Sequence, residues 1–576
     1  MITRLVAVGA AVLLPTFASV ASAQDAPKPT TVGAATAPAT PLPLKFDPKP
    51  TKGAISVEDL MTRLYVFADD SMMGRDAGTL GSVKATDYLA AEAKRIGLVP
   101  AGDNGTYFQT LPLKTRRVDP LSTFIAGGAT LTFGTEFAIS GNSTINKPDL
   151  ETVYGGVIGD TARRISPEQA AGKLVVMSMP ASQEAIGAVL GNGALVPTTA
   201  AAVVVIVPRQ VQGLMGFVTR PGITVADEEA PARLFVMATA MSKLFTKSVD
   251  SLAVGDAGTK VSVNAIVEMK DSPFPARNVV GILPGSDAKL KNTYVAVGAH
   301  SDHVGISPRA VDHDSVLVFN RIVRPGGAED SNKMGTAAQF EQVNAELAEL
   351  RKTRPARRDS IFNGADDDGS GSVAVLEIAE YMASMKTKPK RSTLFVWHVG
   401  EEKGLWGSAY FTGHPTVARD SIVAQLNMDM VGRGANTDQT GISADGKELR
   451  GGPDYLQLVG SRRLSTELGD LVERVNVSKK YGFSFDYAMD ANGHPMNIYC
   501  RSDHYEYAKW NIPVTFFTTG GHSAYHQLTD EPQYIDYPHM LRVSKLVADI
   551  ATEVGNGAKR PVVDGAKMDP KGTCKQ

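Results

Sequence analysis

From Asn278 onward the chain repeats one pattern that leaves few folds open to it. A short, almost unbroken apolar run ends abruptly, in three cases out of four on an acid or a histidine. NVVGILPG, TYVAVGAH, STLFVWHVG and SIVAQLNMDM are such runs, and an apolar helical stretch follows NGADDDGSG. Segments this continuously apolar suit strands buried on both faces, hence an α/β fold with a mainly parallel sheet covered by helices. In open sheets of that kind ligands bind beyond the carboxyl ends of the strands. His300 after TYVAVGA, Glu401 and Glu402 after STLFVWHVG, and Asp429 after SIVAQLNM are therefore expected to meet in space. Asp367 starts a helix in the same layer, and His526 follows the run IPVTFF.

The adjacent acids Asp366, Asp367 and Asp368 pose an electrostatic problem. Two carboxylates about 4 Å apart repel by roughly 4 kcal/mol at an effective dielectric of ~20. A hydrated turn that caps the helix would relieve the repulsion. The recurrence of acids and histidines at strand ends favours cations instead. Two divalent ions are balanced by the carboxylates of Asp367, Glu402 and Asp429 together with one hydroxide. Mixed nitrogen and oxygen ligands suit zinc, with Co2+ or Mn2+ as substitutes. Glu401 is left beside a ligand without being needed as one, which is the place for a general base.

At 576 residues the chain is too long for one ordinary core. A net charge of -2 without a long basic run gives no reason to expect nucleic acid or an anionic membrane surface as partner. Residues 1–23 read as a signal peptide ending in Ala21-Ser22-Ala23, and 24–52 as a Pro/Ala/Thr-rich linker. The main domain is expected over 53–115 and 271–560, interrupted by a largely β insertion at 116–270 and followed by a tail, 561–576. Within it, about 304–360 looks like a second insertion, whose Phe340, Val343, Leu347 and Leu350 share a helical face. Cys500 and Cys574 are compatible with one bridge or two free thiols.

GAHSDHVG, NGADDDGSG, GEEKGLWGS, NMDMVG, and RSDHYEYAKWNIP followed by HSAYHQLTD resemble, in that order, the motifs of the co-catalytic di-zinc aminopeptidases, metallopeptidase family twenty-eight. The resemblance implies the zinc exopeptidase fold and makes 116–270 similar to a protease-associated domain. By motif position His300 and Asp429 would bind one Zn2+, Glu402 and His526 the other, and Asp367 would bridge both, with a cis peptide to Asp368. Asp302 would orient His300, Glu401 would move the proton of an activated water, and Tyr525 would help stabilise the oxyanion. His303, His398, His504 and His522 are expected to be ordinary structural histidines. The implied activity is removal of N-terminal residues from peptides by an exported enzyme, periplasmic or secreted, without a membrane anchor. A carboxypeptidase or dipeptidase using the same site is the nearest alternative, with Arg501 as the cation for a terminal carboxylate. A non-catalytic binding protein and a glutaminyl cyclase are the alternatives of other classes. The chain departs from the usual pattern in the 67-position interval between His300 and Asp367.

Overall fold

The computed structural model describes residues 42–160, 162–180, 199–209, 212–226, 233–570, 572, 574 and 576; the expected leader and most of the expected linker lie outside them. Six strands make the body of the central sheet: β1 (Ala276–Leu283), β2 (Tyr294–His300), β3 (Ser392–His398), β4 (Ile422–Met428), β5 (Tyr455–Val459) and β6 (Val514–Thr518). They lie in the order β1-β3-β2-β4-β6-β5. The inner pairs β3/β2, β2/β4 and β4/β6 are parallel, while β1 and β5 are antiparallel to their neighbours. Val99–Pro100 and Phe108–Leu111 extend the β1 edge and Ser484–Asp486 the β5 edge. This is a mixed α/β sheet with a parallel centre. Register brings the parallel strands to an end together: His300 stands opposite His398, Gly298 opposite Asn427, and Asn427 opposite Phe516.

Every residue of β3 and β4 is buried, as their unbroken apolar sequences require. The pleat sends alternate side chains to opposite faces. On one face Trp397 donates from its indole N–H to the Ser372 carbonyl, 2.9 Å away. On the other, Leu394 and Val396 pack with Phe411 and Tyr507. The first face is covered by α1 (Val57–Phe67), α2 (Leu80–Ile96), α3 (Gly371–Ser384) and α4 (Tyr537–Asn556), the second by Trp406–Gly413 and His504–Ala508. Inside the first layer the buried Arg63 of α1 donates to Glu377 and Glu380 of α3, each at 2.5 Å. The expected linker ends earlier than its composition suggests. The Pro43 carbonyl accepts from Tyr65 at 2.6 Å, and Thr51 donates to Glu380 at 2.8 Å, so residues 43–52 lie on the core. Polar side chains that find partners hold this stretch where apolar periodicity is missing.

Among the described residues between Leu113 and Asp271 the chain leaves the central sheet and builds three others, of five, four and three strands. Their side chains form a separate core that includes Phe124, Phe137, Val204, Leu234 and Val263. The interval after His300 starts and ends on a narrow antiparallel ribbon, Ile306–Asp312 against Arg358–Ile361, and Phe362 donates its N–H to the Gly305 carbonyl at 3.0 Å. The ribbon carries the helix His313–Val323, a turn at Gly327–Asp330 and the helix Ala337–Thr353. Thr336 and Gln339 cap the second helix reciprocally, a start signal present in the sequence. Its apolar face is covered only in part: Val343 is buried, whereas Phe340 remains 44% exposed beside Phe319. Cys500 and Cys574 are bridged, with Cα atoms 5.9 Å apart. Among the described residues no helix is long and apolar enough to cross a membrane.

Candidate metal centre

The three consecutive acids separate their tasks. Asp366 is held by the Gly432 N–H at 2.7 Å and by His522, whose Nε2 lies 3.1 Å from it. Asp368 accepts from the N–H groups of His300 (3.1 Å), Gly371 (2.9 Å) and Met430 (3.2 Å), so its carboxylate ties three loops together. Asp367 is spared such bonds, and its peptide to Asp368 is cis. The backbone N–H groups of Asp366 and Asp367 are in turn fixed by the Asp530 carboxylate at 3.0–3.1 Å. What looked like mutual repulsion is distributed over different partners.

Asp367 presents one oxygen to each of two donor groups. Oδ1 lies 3.1 Å from His300 Nε2, which is itself 3.6 Å from Asp429 Oδ1. Oδ2 lies 2.9 Å from His526 Nε2, which is 3.0 Å from Glu402 Oε2. His300, Asp367, Glu402, Asp429 and His526 thus come together from the ends of β2, β3, β4 and β6 and from the turn before α3. His300 Nε2 and Asp367 Oδ2 are buried and find no hydrogen-bond partner among the described residues. Donor atoms of this kind, converging while unpaired, fit metal ions, and the nitrogen and carboxylate set fits zinc.

Proton affinities in the cluster show the same tension. Burial depresses the His526 imidazolium, but the carboxylates of Asp367 and Glu402 beside it outweigh burial and push its pKa up to about 11. Glu402 is raised by burial and by Asp367, yet the bonds from His303 and His526 bring it down to about 2. Glu401, buried near Asp429 and Glu402, has its carboxyl pushed well above the usual carboxylate range, chiefly by burial. Cations beside it would draw that value back toward neutrality, where a group that takes and returns a proton works best.

Asp302 meets His300 at Nδ1, the ring nitrogen it is expected to orient, more closely through its backbone than through its side chain. His300 Nδ1 is 3.2 Å from the Asp302 backbone carbonyl and 3.7 Å from its carboxylate, which instead accepts the Glu401 N–H at 3.1 Å. The turn after His300 brings the carbonyl nearer than the side chain, so Asp302 fixes the imidazole through its backbone and the Glu401 loop through its carboxylate. His303 also does more than fill space. Its Nδ1 meets Glu402 Oε1 at 2.9 Å, and with Asp367, Glu402 and His526 it forms one potential ligand group. Because that bond orients Glu402, His303 is placed to support a ligand. His522 and His398 pair with Asp366 and with the Tyr507 hydroxyl, and His504 stacks on Phe516, as structural histidines do.

Motif reading passed over two further supports. Ser502 donates to Asp429 Oδ2 at 2.7 Å and receives a bond from Asn427. Arg75, wholly buried, donates to the carbonyls of Phe67, Ser301, Asn363 and Gly364 at 2.5–3.2 Å, which pins the loops on either side of His300 and Asp367. Only the neighbouring text, SMMGRDAG and CRSDH, hinted at either.

A cavity of about 340 Å³ opens beside the cluster. Asp367, Glu401, Asp429 and His526 form its polar side, and Met430, Ile442, Met489, Met496, Ile498 and Phe516 an apolar one. The Tyr525 ring stacks on His526, centroids 4.1 Å apart, and its hydroxyl lies 3.4 Å from Arg501.

Residues 278–551 match the profile described as Peptidase family M28. A probable leucine aminopeptidase of Trichophyton verrucosum (strain HKI 0517) is 29% identical over 299 residues, 50% of this chain and 61% of the relative, so the chain spans less than two thirds of that protein's length. An aminopeptidase from Aneurinibacillus sp. strain AM-1 superposes with a TM-score of 0.44 at 16% identity, over 89% of this chain and 97% of the other. A zinc aminopeptidase from Bacillus subtilis gives 0.41 at 14% identity, over 89% and 99%.

Proposed function

We propose, from the match of residues 278–551 to the Peptidase family M28 profile, that the protein is an exported zinc-dependent exopeptidase that removes N-terminal residues from peptides. The observation that carries this reading is Asp367, whose two oxygens face two separate donor pairs, His300 with Asp429 and Glu402 with His526. These residues would hold two zinc ions, which supply Lewis acidity toward the scissile carbonyl and toward water. Glu401, kept in place by its N–H bond to Asp302, takes a proton from water and returns it to the leaving amine. Tyr525, stacked on His526 at the cavity, would donate from its hydroxyl to the developing oxyanion. The acids Glu401, Asp367 and Asp429 favour a substrate ammonium on the polar side of the cavity. The apolar side, with its three methionines, suits an unbranched or γ-branched apolar side chain at the N-terminus. The β sheets of residues 113–271 contain none of these groups and fit a protease-associated role in recruiting or restricting substrates. Export agrees with the leader-like residues 1–23 and with the Cys500–Cys574 bridge, which an oxidising compartment favours.

The test is one incubation with three versions of a peptide such as Leu-Gly-Gly-Phe: free at both ends, N-acetylated, and C-amidated. Acetylation should stop cleavage and amidation should not. The reverse result would make the enzyme a carboxypeptidase with its metal centre unchanged. Elemental analysis of the same sample should find close to two zinc per chain, and about one or none would refute the bridged centre.

A further inference from the structure

Among the described residues the cavity is lined by a single Lys or Arg side chain, Arg501, and it is already engaged. Its Nη2 donates to Glu329 Oε1 at 2.6 Å. Glu329 does not come from the sheet domain. It belongs to the Gly327–Asp330 turn of the insertion after His300, and that turn is seated firmly on the loop carrying His526. Ala328 donates its N–H to the Tyr525 carbonyl at 3.1 Å. Gly327, at φ 59°, lies so close that a Cβ there would stand 2.6 Å from the same carbonyl oxygen. Asn320 adds a bond to Gln527 at 3.0 Å. The insertion therefore delivers a carboxylate to a fixed point on the cavity rim, where the side chains of Glu329 and Arg501 remain 40% and 39% exposed and within reach of a ligand.

Arg501 also stands 3.4 Å from the Tyr525 hydroxyl. When an N-terminal residue is released, the scissile carbonyl becomes the carboxylate of a free amino acid, close to that hydroxyl. A guanidinium grips a carboxylate strongly through paired charge-assisted bonds. Left free, Arg501 would hold the product and any ligand with a carboxylate at that point. Resting on the aminopeptidase reading, we propose that Glu329 is a specificity-determining residue of this chain: by occupying Arg501 it denies the guanidinium to free α-carboxylates, which speeds product release and disfavours binding of free amino acids relative to analogues without the carboxylate.

The experiment titrates leucine and leucinol, its carboxylate-free analogue with no scissile bond, calorimetrically into the zinc-loaded full chain, as wild type, Glu329→Gln, Glu329→Asp and the double variant Glu329→Gln/Arg501→Gln. The quantity read is the ratio of leucine to leucinol affinity. Glu329→Gln should raise it about tenfold, as expected when a partly exposed guanidinium gains a charged, bidentate partner. The double variant should lose that gain, and Glu329→Asp should stay near wild type. A merely structural role would weaken both ligands together and leave the ratio fixed. A ratio in Glu329→Gln within about twofold of wild type, or a gain that survives in the double variant, overturns the inference. Hydrolysis of an unblocked peptide by wild type is followed in parallel. If wild type cleaves but the ratio does not move, only this inference fails; if wild type removes no N-terminal residue, the aminopeptidase reading fails and takes the inference with it.

Discussion

Replacing Arg75 by Met keeps an aliphatic stem of similar length but removes the guanidinium, whose carbon lies 4.6 Å over the Phe67 ring centroid. Four buried carbonyls, those of Phe67, Ser301, Asn363 and Gly364, then lose a donor. An acceptor left unsatisfied in the interior costs about 1–3 kcal/mol. Relief from holding a buried cation, itself worth several kcal/mol, offsets part of that, which leaves a net loss of about 3–5 kcal/mol. For a unit this large each kcal/mol shifts Tm by about 2 °C, so the variant should melt roughly 6–10 °C lower. The loss should not be spread evenly. Two of the carbonyls, those of Asn363 and Gly364, lie just before Asp367, and the Arg75 charge acts on the buried acids Asp530, Asp302, Asp367 and Asp368. Zinc affinity should therefore fall along with Tm, and Arg75→Lys should recover part of both because an ammonium can still reach some of the carbonyls. Differential scanning calorimetry with and without zinc, combined with a competitive zinc-chelator titration, measures the two effects. A variant that melts within about 2 °C of wild type and keeps its zinc affinity would show that Arg75 fills space without pinning the loops.

Glu401→Gln should keep both metal ions and the fold but lose about 10²- to 10⁴-fold in kcat, and near-full activity would require another base. Glu402→Gln and Asp367→Asn should instead lose zinc, which elemental analysis reads directly. In chelator-treated protein at pH 7, His526 should carry a proton, because its pKa of about 11 lies well above that pH. Zinc must expel that proton, so the apparent affinity should rise as pH rises toward 11 and the binding enthalpy should change with buffer ionisation enthalpy; a buffer-independent enthalpy would refute the assignment. Excising the β insertion at about 116–270 should spare zinc binding wherever the remaining chain folds, and a folded deletion variant without zinc would contradict a substrate-handling role.

The parallel centre of the sheet and the donor set beyond it were legible because both rest on local text. Buried parallel strands must be apolar throughout, and the residue that ends such a run must face the sheet's carboxyl edge. His300, Glu402 and Asp429 could therefore be placed from TYVAVGAH, STLFVWHVGEE and SIVAQLNMD alone. The supporting residues were not legible in that way. His303 differs from a structural histidine only because a turn swings its Nδ1 onto Glu402, and Ser502 matters only because β4 and the helix His504–Ala508 bring it to Asp429. Asp302 lay within the right motif, but whether its carbonyl or its carboxylate meets His300 depends on backbone dihedrals that composition does not encode. Residues 43–52 looked like a free linker because their contacts are polar and long-range, as in Thr51 to Glu380.

The stalk at Gly305 and Phe362 bears on how such an enzyme can diversify. Everything from Ile306 to Ile361 departs and returns through one two-stranded ribbon, and the two residues at its base are joined by a single hydrogen bond. A segment hinged so narrowly is a cassette: it can lengthen, shrink or be exchanged between descendants while His300 and Asp367 on either side hold their positions. The exchange has conditions, because a replacement must still supply a turn small enough to sit where Gly327 meets the Tyr525 carbonyl and partners for Gln527 and Glu531. Variation confined to this cassette leaves His300 and Asp367 where the sheet and the turn before α3 put them.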